Sequence, residues 1–239
     1  QLMIKYYTRA CNFYHGEQAK LLLKKKQALP LCGNQQIAFD RIEIIIRKRE
    51  KISSKLISLN EVKHLGLSEK KKVQADLKKI TLKRKNFLNH INFSTPSIMG
   101  ILNLTPDSFS DGGKFQSPKK AEKQIINMIK YGAKIIDIGG ESTRPGSKTI
   151  LPKIEWLRIH KIVKQFKKKH KNICLSVDTR KSEIMTKAAK YKADLINDVS
   201  GFNYDKSALS KLKNYNIAKV LHHMQGTPNT MQKNPKYKN

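Results

Sequence analysis

The sequence predicts a parallel α/β fold, an incomplete (β/α)8 barrel of the TIM type, behind a small α+β region. Three observations carry this. From Ser97 onward, short apolar runs alternate with amphipathic stretches of helical period, the pattern of a parallel sheet covered by helices. Each apolar run ends in a polar residue or a glycine: Asn103, Asp137 with Gly139, Asp178, Asn197 and His223. A barrel focuses all its strand ends on one pocket, whereas an open doubly wound sheet uses mainly those beside its switch point. The third observation is length. A whole barrel takes roughly 250 residues, and about 140 follow Ser97, room for about five of eight strand–helix units.

Taken in order, residues 1–95 form the extension and 96–239 the barrel portion. In the extension glycines are few, charge is high and motifs are absent. Glu17 to Lys26 reads as a short helix around Leu21, Leu22 and Leu23. Ile37 to Ile46 reads as a strand, with Ile42, Ile44 and Ile46 alternating with Glu43, Ile45 and Arg47. Ser68 is placed to cap a charged helix running to about Leu77, and Lys78 to Lys85 reads as a basic connector.

In the barrel portion, Ile98 to Leu102 is the first strand. Ser117-Pro118 opens a helix with Ser at the N-cap and Pro at the first helical position. Its apolar face is Ala121, Ile125, Met128 and Ile129, and Gly132 closes it as a left-handed cap. Lys134 to Ile138 is the second strand, followed by a helix with Ile159, Ile162, Val163 and Phe166 on one face. Ile173 to Val177 is the third, and the next helix carries Ile184, Ala188 and Tyr191. Leu195-Ile196 is the fourth strand, a helix with Leu209 and Leu212 follows, and Ile217 to Leu221 is the fifth strand.

Composition narrows the function classes. No apolar run is long enough to span a bilayer. Cys11, Cys32 and Cys174 are odd in number and far apart, with no C-x-x-C pair, which argues against a disulfide framework or a zinc site and fits a reducing cytoplasm. The formal net charge is +31 over 239 residues. Basic residues are spread along the whole chain without a zinc finger, an RRM pattern or an aromatic-interleaved stripe. The charge therefore reads as lysine on solvated faces, and no nucleic-acid partner is expected. It can still attract an anionic substrate. Both ends, Gln1 and the polar Lys236 to Asn239, read as cut.

Two long strings carry the chemistry. Met99-Gly100-Ile101-Leu102-Asn103-Leu104-Thr105-Pro106-Asp107-Ser108-Phe109-Ser110-Asp111-Gly112-Gly113 sets Asn103 at a strand end before a polar loop with a Pro turn and a Gly-Gly hinge. Ile136-Asp137-Ile138-Gly139-Gly140-Glu141-Ser142-Thr143-Arg144-Pro145-Gly146 does the same after the second strand. With Ser176-Val177-Asp178-Thr179, Ile196-Asn197-Asp198-Val199 and His223-Met224-Gln225-Gly226, their order and spacing resemble the dihydropteroate synthases across residues 97 to 237.

That resemblance implies a folate-pathway transferase. In such enzymes the pyrophosphate ester of 6-hydroxymethyl-7,8-dihydropterin loses pyrophosphate and p-aminobenzoate attacks the freed methylene, giving 7,8-dihydropteroate, with Mg2+ assisting the leaving group. Asp178 and Asn197 are the residue types to grip a guanine-like pterin edge, because a carboxylate accepts two N–H bonds and an amide both donates and accepts. Taken alone, Asp178 reads equally as the N-cap of the next helix. By resemblance Asn103 lies near the Mg2+ and pyrophosphate, its amide oxygen being a hard ligand. Asp137 is a pterin-side or purely structural carboxylate at the same mouth. Phe109 and Asp111 of the first loop, with Thr143 and Pro145 of the second, are implied at the p-aminobenzoate site, and Thr143 also beside the pterin. Arg144 is left open between a substrate carboxylate, Asp111 and solvent. Sulfonamides, as p-aminobenzoate mimics, are expected to compete.

His222 and His223 cannot easily share one ion, since adjacent strand residues point to opposite faces. His222 stands where family members often have Met. The family's later D-P-G-F-G, Ser-Arg-Lys and Arg/His motifs do not occur before Asn239, so this chain by itself is expected to be inactive. A homodimer of the complete protein is compatible with the resemblance. Two other readings are a pterin-binding, cobalamin-dependent methyltransferase, which would not carry both loops in full, and a non-catalytic truncated basic protein.

Overall fold

A computed structural model describes residues 4–86, 88, 91–93, 95–105, 117–142, 147–227, 230 and 234–236. The chain divides into two compact units, with the division between Lys85 and Asn86. That point precedes the division at 95/96 expected from composition, because Leu88 and Ile91 pack with strand residues of the second unit.

The first unit is an antiparallel sheet with helices. The strands are β1 (Ile4–His15), β2 (Leu29–Leu31), β3 (Asn34–Lys48) and β4 (Lys51–Ser58), and the helices are α1 (Gly16–Lys24) and α2 (Leu67–Thr81). β3 is central and pairs with the other three strands. Phe39, Ile42, Ile44, Val62 and Val73 form its main core, with β3's alternating isoleucines supplying the apolar side. The region is thus a built domain with its own core. Three local expectations are corrected. β1 and β4 are strands where the sequence suggested none, their charged and polar residues having masked the alternation. α2 starts from Gly66 as N-cap, so Ser68 lies inside the helix. The helix also runs on to Thr81, because Leu77 and Ile80 still have a core to pack against.

The second unit is a five-stranded parallel sheet in chain order. Its strands are β5 (Ile98–Asn103), β6 (Ala133–Gly139), β7 (Cys174–Asp178), β8 (Leu195–Asp198) and β9 (Ala218–Leu221). Between them run α3 (Pro118–Lys130), α4 (Pro152–Lys169), α5 (Ser182–Lys190) and α6 (Ala208–Leu212). Sequential strand order with a helix between successive strands is what a barrel wall requires.

The two faces of the sheet are chemically distinct because side chains alternate along each strand. Leu102, Ile136, Ile138, Leu175, Val177 and Ile196 face the helices and join Ile125, Ile159, Val163, Phe166 and Ile184 in one core. The other face carries, from the bottom, an apolar row of Met99, Ile135 and Cys174, over which Leu88 and Ile91 pack. Ser117 caps α3 by accepting a hydrogen bond from the Lys120 N–H at 3.3 Å. Gly132 takes a left-handed φ of +98° just beyond α3. Two expected core contacts differ. Ala208, not Leu209, joins Leu212 inside, and Leu209 is exposed. Tyr191 follows the end of α5 and stacks on Trp156 at 6.0 Å between ring centres instead of entering the core.

Candidate active site

Strand register brings the polar tips together. Asn103 pairs with Gly139, Gly139 with Asp178, Asp178 with Asn197, and Asn197 with Val220, so one row crosses all five strands. The row beneath is Ile101, Asp137, Ser176, Leu195 and Ala218 on the same face. This face is therefore apolar at its base and polar at the carboxyl ends of the strands, where a barrel places its chemistry.

Gly139 is the gap in the tip row. A Cβ there would lie 3.1 Å from Asn103 Oδ1 and 3.6 Å from both Cβ and Oδ2 of Asp178. The two side chains thus converge over the glycine, and any larger residue would fill the space between them. Asn197 Nδ2 reaches across β7 to donate to Asp137 Oδ2 at 3.0 Å. That bond fixes the amide, leaving Asn197 Oδ1 as an acceptor for a ligand. Asp137 is 4% exposed and Ser176 is fully buried, and both Asp137 Oδ1 and Ser176 Oγ lack a hydrogen-bond partner among the described residues. Buried polar atoms without partners are rare away from binding sites.

The site concentrates acids within a very basic chain. Burial pushes the Asp178 carboxyl up to about 8, and the negative charges of Asp137, Glu155, Asp198 and Glu141 push it the same way. Asp178 itself is half-buried. Asp178 makes no side-chain hydrogen bond among the described residues and is not the N-cap of α5, whose cap is Lys181. Burial also raises the Asp137 carboxyl, and the Asn197 amide bonded to it opposes the rise. Cys174, at the apolar base, is pushed by burial to about 12 and stays a thiol at neutral pH.

Behind the tips, on the helix side, lies an ion cluster that reading the sequence did not single out. Glu141 Oε2 accepts from Arg180 Nη2 at 2.8 Å and Nε at 3.2 Å. Glu141 Oε1 pairs with Lys181 Nζ at 2.8 Å and accepts the Ile150 N–H at 3.1 Å. Lys181 Nζ also lies 2.5 Å from Glu155 Oε2. Burial alone would raise the Glu141 carboxyl, but the hydrogen bonds from Lys181, Arg180 and the Ile150 N–H outweigh it and hold the group below the usual range. Only the placement of Glu141 within the second string hinted at this role. Its partners are near in space and distant in sequence.

Of the residues expected at the site, Asn103, Asp137, Asp178 and Asn197 are brought together. Phe109, Asp111, Thr143, Arg144 and Pro145 lie outside the described residues. His222 and His223 follow the end of β9 and are exposed. No cluster of three or more His, Cys, Asp or Glu residues is arranged to hold a metal among the described residues. Asn103 offers one hard oxygen, a donor set that fits Mg2+ carried in on a phosphate and held mostly by it and by water.

The family model described as "Pterin binding enzyme" matches residues 99–239. The chain belongs to the pterin-binding enzyme family. The dihydropteroate synthase of Haemophilus influenzae is 43% identical over 149 residues, which is 62% of this chain and 54% of that protein. The Yersinia pestis dihydropteroate synthase, solved with a sulfonamide drug complex, superposes with a TM-score of 0.57 at 40% identity, covering 62% of this chain and 54% of the other. A Burkholderia cenocepacia dihydropteroate synthase complexed with 7,8-dihydropteroate gives a TM-score of 0.52 at 36% identity over 62% of this chain and 48% of that one. This chain spans about half the length of the curated relatives it matches. The five-strand sheet is thus the corresponding part of a pterin-binding barrel.

Proposed function

We propose that the protein is a dihydropteroate synthase, joining 6-hydroxymethyl-7,8-dihydropterin pyrophosphate to p-aminobenzoate in a reducing cytoplasm. The observation that supports this best is the register pairing of Asp178 with Asn197 on one face, with Asn103 across Gly139. The heterocycle's amide-like N–H and exocyclic amine would donate to the Asp178 carboxylate, and Asn197 Oδ1, freed by the amide's bond to Asp137, would accept a further N–H. Asp137 and Ser176 would complete the floor.

With the pterin held there, its methylene projects toward the strand tips. The C–O bond to pyrophosphate breaks and the amine nitrogen of p-aminobenzoate forms the new C–N bond, losing one proton. Mg2+ bound with the pyrophosphate would neutralise the charge that builds on the leaving oxygen, with Asn103 as the residue here that would hold it. Thr143, Phe109, Asp111 and Pro145 are proposed at the p-aminobenzoate site, with Arg144 beside them. Closing loops would keep water from a cationic intermediate.

The test is an assay of the complete protein, with the family's later motifs present, on both substrates, following dihydropteroate and pyrophosphate together. Stoichiometric release of both, competed by a sulfonamide and lost on removing divalent metal, is the expected result. Pyrophosphate release that ignores p-aminobenzoate would overturn the reading.

A further inference from the structure

The turn that carries Asp178 is held from four directions. The Thr179 N–H donates to the Asn197 carbonyl at 3.1 Å, tying the tips of β7 and β8 together. Arg180 and Lys181, the next two residues, both bind Glu141 at the end of β6. Lys181 extends to Glu155 in the first turn of α4. The Arg180 guanidinium lies 4.4 Å from the centre of the Tyr204 ring. All four ionic side chains are at most 7% exposed.

A buried ionic quartet is a poor device for stability, because desolvating four charges offsets most of their attraction and apolar side chains often serve as well. This one is also incompletely satisfied, since Glu155 Oε1 is buried with no partner among the described residues. What it does supply is direction. Glu141 is gripped by Arg180 through two nitrogens at one oxygen and by Lys181 at the other, a geometry that admits one orientation of the turn.

Building on the reading of the site given above, we infer that Glu141, through Arg180 and Lys181, is a positioning residue that sets the angle at which Asp178 meets the pterin. It touches no substrate. Losing the clamp leaves β7 paired on both sides and the helix-side core intact, but lets the Asp178 turn relax.

Calorimetry of the native protein with 6-hydroxymethyl-7,8-dihydropterin tests this in Glu141→Gln, Lys181→Met, Lys181→Arg and Asp178→Asn. Glu141→Gln and Lys181→Met should each weaken binding by about tenfold, the scale of one charge-assisted hydrogen bond. Lys181→Arg, which keeps the charge and the reach, should recover most of the loss. Lys181→Arg should melt close to the parent, whereas Glu141→Gln leaves Arg180 and Lys181 short of a buried counter-charge and should melt lower. A binding loss measured well below every melting temperature and recovered in Lys181→Arg separates positioning from a general structural role. If Lys181→Met does not fold, the isosteric Glu141→Gln decides alone. Parent-like affinity in Glu141→Gln while Asp178→Asn loses binding overturns the inference and leaves the site reading intact. No pterin binding by the parent overturns both.

Discussion

Asp178 answers to two opposed demands. Folding favours its protonated form, since burial and four neighbouring carboxylates raise it from the ordinary 3.8 to about 8, whereas a pterin edge needs an acceptor. The folded state holds this proton more tightly than the unfolded chain. The group's contribution to stability is therefore fully present below 3.8 and is lost as pH rises through about 8. Asp178→Asn should flatten that decline, so that melts from about pH 5 to about pH 9 show the variant gaining on the parent as pH rises. The same variant should bind pterin more weakly, because an acceptor oxygen becomes a donor. In the parent, affinity should climb as pH rises toward about 8 and then level, with a proton released on binding below that point. Calorimetry in buffers of different ionisation enthalpy reads that release. Gly139→Ala is a second test at this scale. Its methyl would sit 3.1 Å from Asn103 Oδ1, so pterin affinity should fall while the melting temperature barely moves.

At the scale of elements, most of the second unit was legible and the reasons are local. Ile159, Ile162, Val163 and Phe166 recur at helical spacing because α4 lies along the sheet, and all four are buried. Phe166→Ala should cost about 3–5 kcal/mol in urea unfolding, since nothing can collapse into the space beneath α4. Ser117→Ala, removing an exposed cap, should cost only about 1 kcal/mol. The contrast between the two separates core packing from capping. Misreadings occurred where period alone had to choose between neighbours. In α6 five residues are too few to define a face, so Leu209 and Ala208 could not be ranked. β1 and β4 escaped notice because a strand with a largely exposed side can carry almost any residue there.

For the whole molecule, the net charge of +31 and the acid-lined tips act at different ranges. On the proposed reading, the diffuse positive field would draw a pyrophosphate ester from a distance, and the tip carboxylates would read hydrogen-bond donors at contact. Raising salt from about 0.05 M to about 0.2 M should therefore raise KM for the pterin pyrophosphate several-fold while hardly changing affinity for the unphosphorylated pterin. Equal sensitivity of both would remove the field argument. The sequence by itself determined the order of strands and helices in the second unit, the polar or glycine tip of its first four strands and the family, because these depend on period and on contiguous strings. The expected fifth tip, His223, lies beyond β9, and Val220 takes its place in the row. The tertiary structure alone decided that Asn103, Asp178 and Asn197 share one row over Gly139, that Asn197 is fixed by Asp137, and that Glu141 grips Arg180 and Lys181. Those pairings join residues far apart in the chain, and only the register between strands and the packing of helices behind them can select the partner.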